Sequence, residues 1–84
     1  LSMAFEAIRV GGTAPAVLSA ADEIAVQAFL EAKIEFIDIP RVIRHTVESL
    51  PTIPATDIET VMASDGEARR VASDYVETGV GAQI

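Results

Sequence analysis

The chain has 84 residues, 50% hydrophobic and 23% charged, with six Lys and Arg against 13 Asp and Glu for a net charge of -7. That is one small domain with apolar material enough for a core, and its acidic balance excludes an electrostatic grip on nucleic acid or anionic lipid, both of which need clustered cations. The lack of cysteine excludes disulfides, thiolate metal sites and thiol nucleophiles, and the first residues show no signal-peptide pattern, nor does any apolar run approach the roughly 20 residues of a membrane span.

Leu1, Ala4, Phe5 and Ile8 recur at helical spacing, which predicts a first helix of about ten residues, ended by Gly11. The chain opens at Leu1 inside this apolar pattern, without an initiating Met, and reads as a piece of something larger. Thr13 is placed to cap the next helix, with Pro15 in its first turn. From there Val17, Leu18, Ala21, Ile24, Ala25, Ala28 and Phe29 keep one phase, a sector about 140° wide, so a continuous helix to about Lys33 is expected. Val26 and Leu30 form an adjoining apolar face, and a helix with two such faces is expected to sit centrally between two neighbours.

Ile34, Phe36 and Ile37 make a short apolar connector. Asp38 is expected to cap a third helix whose buried stripe is Ile39, Val42, Ile43, Val47 and Leu50, ending at Pro51 and Pro54. Two capping boxes follow. Thr56 to Glu59 opens a short helix burying Ile58, Val61 and Met62; Ser64 to Glu67 opens a last helix with the stripe Ala68, Val71, Ala72, Tyr75 and Val76, ended by Gly79. The expected fold is all-α, a small bundle of four to five helices with short loops, formed by residues 1–79 and followed by a flexible tail, 80–84.

No catalytic, cofactor-binding or metal-binding residue emerges. The two glycine clusters, Gly11-Gly12 and Gly79-Val80-Gly81, lack the spacing of a nucleotide-binding turn, and His45 is the only histidine. Asp22 and Glu23 are adjacent in a helix, so their carboxylates diverge by about 100° and do not converge on one ion. Arg41, Arg44, Arg69 and Arg70 are expected to pair with surface carboxylates such as Glu48, Glu67 and Asp74 rather than to gather round a phosphate. His45 projects about 135° from the centre of its helix's stripe and is expected on the surface, with Tyr75 in the core and its hydroxyl at the rim. A small acidic helical domain also describes carriers with a phosphopantetheine arm. Here the nearest match to their attachment motif, Glu48-Ser49-Leu50, lies at the end of a helix rather than the start of one.

The run from Gly11 to Val26, Gly-Gly-Thr-Ala-Pro-Ala-Val-Leu-Ser-Ala-Ala-Asp-Glu-Ile-Ala-Val, closely resembles the C-terminal helical domain of 1-deoxy-D-xylulose 5-phosphate reductoisomerases. Met3 to Ala7, Ala28-Phe29-Leu30, Phe36 to Pro40 and Asp65 to Ala72 extend the likeness over roughly residues 1–76. One departure is Ser19, where the family usually carries Asn; the hydroxyl lacks the amide's donor group.

The resemblance implies a parent enzyme that rearranges 1-deoxy-D-xylulose 5-phosphate and reduces the product with NADPH, assisted by Mg²⁺ or Mn²⁺. The product is 2-C-methyl-D-erythritol 4-phosphate, in non-mevalonate isoprenoid biosynthesis. It implies further that nucleotide and metal residues lie in preceding domains, that this bundle buttresses the catalytic domain of the same polypeptide, and that the piece alone is inactive. The location implied is cytoplasmic, or the plastid stroma in a plant or alga. Ser19, Asp22 and Glu23 are the candidates for contact with the missing domain. The alternatives are a stand-alone helical interaction module and a fragment that self-associates through its exposed docking face.

Overall fold

A computed structural model describes residues 11–79 as three α-helices, α1 (Ala14–Leu30), α2 (Asp38–Ser49) and α3 (Ile58–Asp74), closed by a π-helical turn, Tyr75–Gly79. The first helix expected from the sequence, and the tail over 80–84, lie outside the described residues.

Helix α1 is central, as expected, but it meets both neighbours through one small-residue side, where alanines do most of the touching. Ala21, Ala25 and Ala28 are buried with Ile34, Val42, Ile43 and Ala72, while Val17 and Ala20 pack with Ala68. Ala20, Ala21, Ala25, Ala68 and Ala72 have no exposed surface. Side chains this small let helix backbones approach closely, so the core is thin and geometrically demanding. Leu18, Ile24, Ile39, Val47 and Val76 close its margins half-buried. The second face is a correction: Val26 is 36% exposed and Leu30 70%, and Phe29, expected in the buried stripe, is 37% exposed. Neighbours of alanine size are reached by the alanine side of the helix, which leaves the bulky residues pointing out.

Helix α1 also stops earlier than expected. Ala32 takes a left-handed φ of 62°, and the amides of Ala32 and Lys33 donate to the carbonyls of Phe29 (3.0 Å) and Ala28 (2.9 Å). These two bonds satisfy the helix's last carbonyls in a Schellman turn, with alanine at the position that usually takes glycine. The chain then reverses and drops Ile34 into the core.

At α2, Asp38 opens the helix without capping it forward. Its carboxylate accepts from the amide of Glu35 (2.9 Å), half of a capping box. Thr46, buried on the same helix, donates its hydroxyl to the carbonyl of Val42 (2.8 Å) and so carries no unsatisfied polar atom into the core.

The two helices expected over 56–79 are one. Asp57, not Thr56, is the N-cap: its carboxylate accepts from the Thr60 amide (2.7 Å). From Ile58 the helix runs through Ser64 to Glu67 without a break. An interior glycine costs about 1 kcal/mol against alanine. The burial of Ala68 and Ala72 along the same helix, with an Arg69 to Asp65 hydrogen bond one turn apart, outweighs that at Gly66. Ile58 and Met62, expected in the core, are 74% and 65% exposed. The described residues therefore form three α-helices where the sequence pattern suggested four, and the first expected helix lies outside them.

Candidate interdomain contact surface

Stepping 100° per residue, Ser19, Asp22, Glu23, Val26, Phe29 and Leu30 fall within about 120° on the outward side of α1. All six are exposed. The stripe is polar in the first half of the helix and apolar in the second. Of the three residues expected to meet another domain, Glu23 is already engaged: it accepts from Arg69 Nη1 of α3 at 2.6 Å, while Arg69 Nε donates to Asp65 at 2.9 Å. The Asp65 bond first, then Glu23, holds the Arg69 proton more tightly than usual. Ser19 and Asp22 make no side-chain hydrogen bond or ion pair among the described residues.

The apolar half continues into the α1–α2 connection. Phe29 and Phe36 meet edge to face, ring centroids 5.7 Å apart at 69°, and Phe36 and Ile37 are 72% and 63% exposed. Beside them Lys33 Nζ lies 3.4 Å from Glu31 and 3.5 Å from Glu77, tying the end of α1 to the π-turn. A hydrogen bond from Gln27, followed by the Lys33 ammonium, holds the Glu31 carboxyl below its ordinary range.

The remaining polar clusters are local. Arg70 bonds Glu67 and Asp74, as the spacing predicts, and Arg41 lies 3.6 Å from Asp38. His45 is exposed, as expected, and stacks on half-buried Tyr75 with centroids 4.1 Å apart. Among the described residues no three His, Cys, Asp or Glu side chains are grouped to hold a metal ion. No described helix is long and apolar enough to cross a membrane.

The sequence reading missed the other end of α1. Thr13 does not cap the helix with its side chain. Its amide donates to the carbonyl of Ile53 (3.0 Å) and its hydroxyl accepts from the Ile53 amide (3.1 Å), a two-bond clip across 40 positions. Thr13 is fully buried. Gly12, at φ 59°, lies so close that a Cβ there would stand 2.6 Å from the Ile53 carbonyl oxygen. The available signal was the doubled glycine: one suffices to end the expected first helix, and a second beside it is a cue to a left-handed backbone or a close approach of another chain segment.

A family model described as the DXP reductoisomerase C-terminal domain matches residues 1–71. The 1-deoxy-D-xylulose 5-phosphate reductoisomerase of Rhodospirillum centenum is 47% identical over 83 residues, 99% of this chain and 21% of the relative. That of Ralstonia pickettii is 46% identical over 78 residues, 93% of this chain and 20% of the relative. The solved reductoisomerase of Zymomonas mobilis, in complex with NADPH, superposes with a TM-score of 0.87 at 42% identity, over 93% of this chain and 21% of its own. The chain thus spans about one fifth of the length of the relatives it matches.

Proposed function

The chain belongs to the family of DXP reductoisomerase C-terminal domains, and from that membership we propose that it serves as the structural C-terminal bundle of a 1-deoxy-D-xylulose 5-phosphate reductoisomerase. The parent would convert 1-deoxy-D-xylulose 5-phosphate to 2-C-methyl-D-erythritol 4-phosphate for isoprenoid synthesis, in the cytoplasm or, in a plant or alga, the plastid stroma. One observation carries this reading: nearly the whole chain matches one fifth of such enzymes, in the part the family model names as C-terminal.

NADPH, named with the Zymomonas mobilis relative, and the divalent metal are assigned to the rest of the parent. The described residues do not fit either group: they hold no cluster of metal-ligating side chains, and the Gly11-Gly12 turn is occupied by the Ile53 backbone rather than open to a phosphate. What this chain contributes is position. Its α1 core and the Thr13–Ile53 clip fix a rigid body against which a catalytic domain can be held, and displacement of reacting groups by about 1 Å can cost roughly 100-fold in rate.

The test compares two proteins. The purified 84-residue chain, given 1-deoxy-D-xylulose 5-phosphate, NADPH and Mg²⁺, is expected to oxidise no NADPH, while a parent reading frame that includes it does. Removal of residues 1–84 from that parent is expected to lower its turnover. Turnover by the short chain, or full activity after the removal, would overturn the proposal.

A further inference from the structure

We propose that the apolar half of the outward α1 stripe, Val26, Phe29 and Leu30, together with Phe36 and Ile37, is the seat on which the preceding part of the same polypeptide docks. This rests on the buttress reading above and names its contact face. The five side chains are between 36% and 72% exposed, and they include an edge-to-face aromatic pair set at the surface rather than in the core. Interfaces concentrate their binding energy in such aromatic anchors, ringed by polar groups. The ring is present here: Ser19 and Asp22 lie on the same stripe, and the Glu31–Lys33–Glu77 cluster sits beside its end.

Three candidate occupants can be weighed. A second copy of this chain, itself at a net charge of -7, would approach against overall like-charge repulsion and would bring no excess of cations to meet Asp22. An unrelated partner has no support from any feature of the domain. The remaining four fifths of the parent polypeptide, which the Ralstonia pickettii and Rhodospirillum centenum relatives carry beyond the matched part, would be tethered to the domain and so present at high effective concentration. The surface expected on it is apolar at the centre and basic at the rim facing Asp22.

The other exposed apolar residues, Ile53, Ile58 and Met62, provide the control. They lie on the linker and the first turns of α3, away from the α1–α2 connection, and lack an aromatic. The experiment uses the full-length parent in three forms: unaltered, with Leu30→Asp and Phe36→Asp, and with Ile58→Asp and Met62→Asp. Calorimetry counts the unfolding transitions, limited proteolysis follows cleavage between domains, and sedimentation reports assembly. Slow hydrogen exchange at the Ala21 and Ala25 amides shows that the bundle itself is still folded.

The expected result is one joint transition in the unaltered parent that splits in two with Leu30→Asp and Phe36→Asp, with interdomain cleavage faster by about tenfold or more, and no change with Ile58→Asp and Met62→Asp. Splitting by the Ile58 and Met62 pair alone would overturn the named face and leave the buttress reading standing, as would a joint transition that neither pair alters. Dissociation of a parent oligomer by the Leu30 and Phe36 pair without splitting would assign the face to a second copy. Two independent transitions in the unaltered parent would overturn the buttress reading itself.

Discussion

At its N-terminal end, α1 is clamped by its own chain: Thr13 is fully buried and exchanges two hydrogen bonds with Ile53, and Gly12 leaves room for the Ile53 carbonyl and the Thr52 side chain. At its C-terminal end, about 25 Å away by helical rise, Phe29, Leu30, Phe36 and Ile37 stand in water around a turn that holds an alanine in a left-handed conformation. At the first end, backbone groups that would otherwise be orphaned find each other across the chain, although Ile53 itself keeps part of its apolar surface exposed. The second is locally complete in its hydrogen bonds but leaves large apolar surface uncovered, as a domain does where another domain is to lie. The difference separates two kinds of residue: a glycine that another backbone presses against serves the fold, while exposed phenylalanines add nothing to this domain's own core and are the ones assigned above to a contact.

The sharpest way to break that contrast is at the closed end. Gly12→Ala places a Cβ 2.6 Å from the Ile53 oxygen at a φ of 59°, so strain and loss of the clip act together. An unfolding free energy lower by about 2–4 kcal/mol is expected in urea denaturation. Gly11→Ala is the matched control: its φ is 77° but nothing lies within 4 Å of the added carbon, so only the backbone penalty of about 1–2 kcal/mol applies. Equal losses at the two positions would mean that the approach of Ile53 is not what requires glycine. Thr13→Val keeps the shape but removes the acceptor for the Ile53 amide, and is expected to cost about 1–2 kcal/mol in the same measurement.

The two ends were also unequally legible. Helical periodicity identified α1, its central place and the alanines at 21, 25 and 28, because each of those signals is local and repeats. It misassigned Phe29, Val26 and Leu30, since a hydrophobicity pattern cannot tell a face buried in its own domain from one reserved for another. The clip joins Thr13 to a residue 40 positions on, a tertiary fact with no periodic trace. At Ser64 to Glu67 the local capping signal was real, but the burial of Ala68 and Ala72 overrode it; local capping is worth about 1 kcal/mol, and packing decides between such options. Of the expected contact residues, Ser19 and Asp22 are exposed on the outward side of α1, while Glu23 is tied to Arg69.

At the open end a smaller change sharpens the comparison in the opposite direction. Ala32 occupies the Schellman position with φ 62°, where a Cβ costs about 1–2 kcal/mol and glycine costs nothing beyond its greater freedom in the unfolded chain. Ala32→Gly is expected to raise the unfolding free energy by about 0.5 kcal/mol. A decrease would mean that the turn depends on the alanine methyl for packing rather than merely tolerating it.

The smallest effect returns to the linker that carries Ile53, which α3 terminates through its Asp57 cap. The Thr60 amide bonded to that carboxylate, and then the Thr60 side chain, hold its pKa below the ordinary aspartate value. A carboxyl whose pKa is lowered by folding stabilises the folded chain above its unfolded value near 3.9, and that contribution disappears as pH falls through the lower folded value. Asn caps a helix about as well as Asp but does not titrate in this range. Asp57→Asn is therefore expected to melt close to the unaltered chain at pH 7 and to lose less on acidification from about pH 5 to pH 3. Glu31 and Glu67, whose pKa values are also lowered, one by Gln27 and the other by Arg70, titrate in both proteins and cancel in the difference. Parallel acid losses in the two would mean that the Thr60 bond to Asp57 persists unchanged on unfolding, and that α3 begins from a preformed turn.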